Sequence, residues 1–176
     1  MRVVAIVILC LTLGGFVGCE LLSKPHQGKK INERWETSNK AIKIRITSYA
    51  EENGGFVPGA YYVFEAARLD SAKWQEVLTF RHDDPVPIPK EQVRFVNDEI
   101  AYFFMVYEYA ITTDGGRTWL VRDIVTDLPN WQQNRPSIKD IRIASDGSGT
   151  MELTSSTNRE ERPLRTEDYG RHWVPE

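Results

Sequence analysis

"TTDGGRTW", residues 112–119, returns 54 positions later as "TEDYGRHW", residues 166–173. Each octet sets a Thr two residues before an Asp, a Gly two after it, and a Trp three beyond the Gly. These residue types suit a tight corner. A carboxylate there accepts backbone N–H groups of its own turn. The glycine takes a positive φ that other residues resist, and the tryptophan folds beneath the turn as an apolar plug. Groups so engaged are badly placed to meet a substrate, so Asp114 and Asp168 are expected to hold up a fold rather than do chemistry.

The segments around the corners read as strands. AIKIRITS, 41–48, alternates strictly, with Ile42, Ile44 and Ile46 on one face and Lys43, Arg45 and Thr47 on the other. That is a half-buried strand. AYYVFEAARL, 60–69, and WQEVLTFRH, 74–82, form a hairpin about LDSAKWQ. A short strand follows over 92–96. IAYFFMVYEYAI, 100–111, is apolar on both alternate faces, as in a central strand packed on both sides; its aromatic and β-branched content argues against a helix. Further strands are expected over 119–125, 138–144 and 150–155. Pro-rich boundaries stand at DDPVPIPK and TDLPNWQQNRPS.

Three units emerge, 42–82, 92–125 and 138–174, each of strand, turn, strong strand, turn and strand. Their spacing is near the roughly 40–50 residues of a propeller blade. The octets resemble the Asp box, Ser/Thr-x-Asp-x-Gly-x-Thr-Trp, of sialidases and other propellers with BNR repeats. Thr112, Asp114, Gly116, Thr118 and Trp119 fill its positions; Thr166, Asp168, Gly170 and Trp173 do so in the second copy, where His172 replaces the Thr. In the first unit Asp70 and Trp74 stand one residue too close, as a degenerate copy or a coincidence. The expected class is all-β and antiparallel: a small propeller-like or sandwich-like domain of blade-like hairpin repeats.

The N-terminus is a separate matter. MRVVAIVILCLTLGGFVG, 1–18, has a basic start, a short apolar run and a small-residue end, the pattern of a cleaved signal peptide. The apolar run falls short of the ~20 residues that span a bilayer. Phe16-Val17-Gly18-Cys19 resembles the lipobox of bacterial lipoproteins, with Phe16 in place of the usual Leu. The resemblance implies acylation of Cys19, and Glu20 beside it implies the outer rather than the inner membrane. The competing reading is a secreted chain without lipid. Cys10 leaves with the leader, so no internal disulfide is available. Residues 19–40 are polar and read as lipidated N-terminus and tether, with Trp35 as a candidate start of the fold; 41–176 read as one β domain. The net charge of −3 and pI near 5.7, with no basic stripe, disfavour nucleic acid as a partner.

Catalytic patterns are sparse. The Asp-box resemblance raises sialidase chemistry, which uses an arginine cluster and a Tyr–Glu pair; Arg135, Arg142, Arg162, Arg165, Tyr107 and Tyr169 are the candidates. Glu51-Glu52, Asp83-Asp84, Asp98-Glu99 and Glu160-Glu161 are neighbours in sequence, which on a strand point to opposite faces. His26, His82 and His172 have no metal-ligand spacing. The expectation is therefore no catalytic residue, no metal and no cofactor. Trp131, Tyr61 and Phe56 are candidate partner-binding aromatics near loop residues. Together these features point to a membrane-anchored envelope lipoprotein that binds a protein or glycan, as an immunity or exclusion protein would. An assembly factor for an envelope complex and a sialidase-like enzyme are the alternatives.

Overall fold

The computed structural model describes residues 29–50, 59–82, 86–124, 136–154 and 163–176. Among the described residues, twelve strands form three four-stranded antiparallel sheets, each a meander in chain order. The first holds β1 (Ile31–Ser38), β2 (Ile42–Ala50), β3 (Ala60–Arg68) and β4 (Gln75–His82). The second holds β5 (Val93–Phe95), β6 (Ala101–Met105), β7 (Glu108–Thr112) and β8 (Leu120–Asp123). The third holds β9 (Ser137–Ile143), β10 (Gly149–Thr154), β11 (Leu164–Thr166) and β12 (Val174–Pro175). The chain is thus all-β, built of blade-like repeats. Among the described residues, no helix is long and apolar enough to cross a membrane.

Two apolar clusters set the order of the layers. Ile42, Ile44 and Ile46 of β2 are fully buried with Tyr62 and Phe64 of β3 against Ala101, Phe103 and Met105 of β6. Phe64 and Phe103 stack across this interface at 4.8 Å. The other face of the second sheet, with Tyr102, Phe104, Tyr109 and Ile111, packs on Ile138, Ile141, Met151 and Leu164 of the third. Each large aliphatic or aromatic side chain buried in this way contributes about 1.5–3 kcal/mol. The second sheet is therefore the middle layer, apolar on both faces as 100–111 suggests. Among the described residues, no buried cluster joins the first sheet to the third.

Several expectations need correction. Residues 31–38, assigned to the tether by their polarity, form β1; Trp35 packs on the core and Trp35↔Ile46 is a rung of the ladder. An edge strand with one wet face keeps many polar residues, which hides it. Residues 100–111 are not one strand but the hairpin β6–β7, turning at Val106-Tyr107 with Met105↔Glu108 as its closing rung. Val106 adopts φ 51, a conformation a β-branched residue resists. Tertiary bonds hold it: Ile138 N–H donates to the Val106 carbonyl at 2.6 Å, and Ile124 N–H to that of Tyr107 at 2.9 Å. The turn has no Gly, Asn or Asp to announce it. Each unit accordingly has four strands, where the sequence suggests three.

Candidate functional site

The two octets form the corners between the third and fourth strands of the second and third sheets. In the first, Asp114 Oδ1 accepts the amides of Arg117 (2.9 Å) and Thr118 (3.0 Å) and the Thr112 hydroxyl (2.9 Å). Its Oδ2 accepts the Thr118 hydroxyl at 2.6 Å. Thr112 Oγ1 in turn accepts Gly116 N–H at 3.0 Å. The second corner repeats this wiring. Asp168 Oδ1 accepts the Thr166 hydroxyl (2.8 Å) and His172 N–H (3.0 Å), while Oδ2 meets His172 Nδ1 at 2.5 Å. Gly116 and Gly170 have φ +80 and +76, as a corner of this kind demands.

The bonding sets the charge state. Partial burial works against ionising Asp114, but the hydrogen bonds from Thr118, Thr112 and Arg117 outweigh it and hold the carboxyl below its usual range. Burial likewise opposes ionisation of Asp168, and the His172 ring and amide, the Thr166 hydroxyl and the His172 charge overcome it, bringing Asp168 down to about 2. Both acids are fixed anions with their oxygens occupied by their own loops. A general acid needs the reverse, a carboxyl that keeps its proton; a nucleophile or base works as the anion but needs an oxygen free to face substrate.

The tryptophans differ. Trp119 sits against Phe103, ring centroids 5.3 Å apart, in the core between the first and second sheets; its Nε1 is buried with no acceptor. Trp173 lies edge-on to Tyr109 at 6.3 Å, in the core between the second and third. Its Nε1–H donates to the Tyr109 hydroxyl at 3.0 Å, and that hydroxyl donates to the Gly170 carbonyl at 2.6 Å.

LDSAKWQ, the candidate degenerate copy, occupies the equivalent corner of the first sheet with different chemistry. Asp70 accepts the Arg68 guanidinium at 2.9 and 3.1 Å. Trp74 lies on the outer face, over Arg45 at 4.2 Å and Lys43 at 5.1 Å. One backbone tie is nonetheless common to all three sheets. The corner between third and fourth strands donates an N–H to the turn between first and second: Leu69 to Ala41 (2.7 Å), Gly115 to Glu99 (2.9 Å) and Tyr169 to Gly147 (2.9 Å).

Those first turns carry asparagine side-chain caps that the sequence reading, which placed Asn97-Asp98 in a turn, did not assign. Asn39 Oδ1 accepts the amides of Ala41 (2.8 Å) and Ile42 (2.7 Å), and Asn97 Oδ1 those of Glu99 and Ile100, both at 2.8 Å. Asn39 Nδ2 then donates to the Asn97 carbonyl at 2.7 Å, joining two sheets. The signal was there as Asn-x-x-Ile at 39–42 and again at 97–100. Between the pinned turns lies a cleft of about 440 Å³, lined by Lys40, Arg68, Leu69, Asp98, Glu99 and Arg117 among others. Its charges are mixed, and Leu69 stands 48 % exposed at its lip.

Of the candidate aromatics, Tyr61 is half-buried on the outer face of the first sheet, its ring 3.6 Å beneath the Lys29 ammonium and away from the cleft. Phe56 and Trp131 lie outside the described residues, as do Cys19 and the leader. So do Glu51-Glu52, Asp83-Asp84, Glu160-Glu161, Arg135 and Arg162. Arg142 and Arg165 come together on the outer face of the third sheet, flanking Thr150, each ion-paired at 2.8 Å, to Asp140 and Glu167. Tyr107 and Tyr169 pack on that sheet's opposite side, against the core, so these four do not form one site. Among the described residues, no three His, Cys, Asp or Glu side chains converge as a metal site. Comparison of the chain with protein-family models, with curated proteins and with solved structures finds no match to any of them.

Proposed function

We propose that the protein is a membrane-anchored envelope lipoprotein, acylated at Cys19, whose β domain binds another protein through the turn cleft between its first two sheets. The observation that carries this reading is the saturation of both corner carboxylates by their own loops. It leaves the rim as the adaptable polar surface. Strand addition is a poor alternative, because the sheet edges are blunted. β1, β4 and β9 each carry an extra, bulged residue (Asn32, Val77 and Lys139), and β5, β8 and β12 are two to four residues long. The cleft lining mixes both charge signs with exposed Leu69 and no aromatic ring, which suits a protein partner better than a glycan stacked on a platform.

Eleven residues separate Cys19 from Ile31, a reach of at most ~40 Å. β1 then carries the chain its own length, roughly 26 Å, to the turn at Asn39. The cleft therefore opens at the end of the first sheet opposite to where β1 begins. The test is affinity capture from detergent-solubilised envelopes, using the full-length chain with Leu69→Arg and Asp98→Lys as paired variants. Wild type should retain a stoichiometric partner that both variants lose, and Cys19→Ser should release the protein from membranes. Capture of nothing by the wild type, or equal retention by the rim variants, refutes the binding site.

A further inference from the structure

The corner of the first sheet keeps a tryptophan but leaves it outside. In the other two corners the indole enters a core. Here Trp74 lies half-buried on the outer face, 4.2 Å from the Arg45 guanidinium and 5.1 Å from the Lys43 ammonium. Cations over an indole hold it in place without burying it. Lys43 Nζ also donates to the Ser71 carbonyl at 2.7 Å, so the cation, the indole and the tip of the corner form one unit. That corner is tied in turn to the first turn of its sheet, Leu69 N–H to the Ala41 carbonyl at 2.7 Å. A large indole already fixed on a polar surface is the kind of side chain that anchors a partner, because little freedom is left to lose on binding.

The charges around it are one-sided. Arg45 is engaged by Glu65 at 2.7 Å and Glu36 at 3.8 Å, and Arg68 by Asp70 at 2.9 Å. Among the described residues, no acid forms an ion pair with Lys40, Lys43 or Lys73. The corner thus carries a local surplus of lysines on a chain whose net charge is −3. Leu69, 48 % exposed, adds an apolar spot beside them. Asp98 and Glu99, the acids of the cleft, stand on its other wall, in the second sheet's first turn.

We propose that the Trp74 corner, with Leu69 and the three lysines, docks an acidic segment of a protein partner: carboxylates of the segment meet the lysines and an apolar side chain of it packs on the indole. The proposal rests on the cleft being a binding site and extends that site over its lip. Lys40 and Leu69 line the cleft, and Lys43 and Trp74 occupy the face beyond it. The indole and Leu69 offer apolar contact that a bare polyanion does not use. LDSAKWQ then lacks the Asp–Gly lock of the other corners because its tryptophan works outside the stack.

The probe is a short labelled peptide of glutamates about a central leucine, read by fluorescence anisotropy on the full-length chain in non-ionic detergent. It should bind, and more weakly as salt rises. Trp74→Ala should weaken binding at least ~10-fold. Lys43→Gln with Lys73→Gln, which keeps the indole, should weaken it and flatten its salt dependence. No binding, or undiminished binding by Trp74→Ala, overturns the proposal. So does equal binding of the same peptide with lysines for glutamates, or full displacement by heparin at equal charge, since charge alone would then decide. Capture from solubilised envelopes separates this surface from the cleft. A partner kept by Trp74→Ala and lost by Asp98→Lys removes the corner and leaves the cleft; one lost by Trp74→Ala and kept by Asp98→Lys does the reverse.

Discussion

Tyr109→Phe isolates one hydroxyl. The ring is 1 % exposed and meets Trp173 edge-on at 6.3 Å, a contact phenylalanine keeps. What is lost is the bond to the Gly170 carbonyl at 2.6 Å and the acceptor for Trp173 Nε1 at 3.0 Å. Two such bonds are worth about 1 kcal/mol each net, and an orphaned buried partner adds to the cost. Gly170 is buried, whereas Trp173 is half-buried and its N–H gains some water. The expected loss is therefore roughly 2–3 kcal/mol, or about 5–10 °C in melting temperature for a domain of this size.

Urea unfolding followed by tryptophan fluorescence and far-UV circular dichroism measures this loss, and a cycle with Trp173→Phe tests the mechanism. Trp173→Phe deletes the N–H that the hydroxyl receives. The double variant should therefore cost less than the two single losses together, by a coupling of about 0.5–1.5 kcal/mol. A Tyr109→Phe change of less than about 0.5 kcal/mol, the range of an ordinary surface substitution, refutes the reasoning. Strict additivity in the cycle refutes it equally, because the two groups would then act apart.

Three further outcomes follow from the corners. Asp168 sits at about 2 against 3.8 for the free side chain, so its contribution is full above pH ~4 and vanishes as pH falls through about 2. Acid unfolding profiles of wild type and Asp168→Asn should accordingly converge near pH 2, and parallel profiles would contradict this. Trp119→Phe should cost under about 1.5 kcal/mol by urea unfolding, less than Trp173→Phe, because it also removes a buried N–H that has no acceptor. Gly116→Ala should cost about 1–2 kcal/mol by thermal melting, since φ is +80 and its Cβ would meet Ile42 Cγ2 at 3.4 Å.

What was legible in the sequence was local. β2 shows itself because three isoleucines at period two face one core, and 100–111 shows that its layer is buried twice. The corners show themselves because Thr, Asp, Gly and Trp bond within eight residues. What stayed hidden depends on distant partners. Val106 turns a hairpin with no turn residue, because Ile138 and Ile124 tie its carbonyls down from elsewhere. β1 looks like tether because an edge strand needs few apolar residues. The cleft is invisible because Lys40, Asp98 and Arg117 come from three different turns and Arg68 from the end of β3.

The structure also suggests why three sheets carry the Asp–Gly–Trp set twice. The backbone tie between the corner and the first turn is present in all three, so the tie does not require the set: Leu69 makes it in the first sheet with Asp70 engaged elsewhere. What distinguishes the other two corners is their tryptophan. Trp119 enters the core shared with the first sheet, and Trp173 enters the core shared with the second. Each corner plugs the interface with the sheet before it in the chain. Among the described residues no sheet precedes the first, and its Trp74 turns outward to lie over Lys43 and Arg45 instead. The number of complete corners thus equals the number of interfaces between sheets. An aspartate that fixes the loop, and a glycine that lets it bend back, are needed where a large indole has to be held at one angle inside a core. Where the indole lies on a wet face, a cation over its ring suffices to hold it.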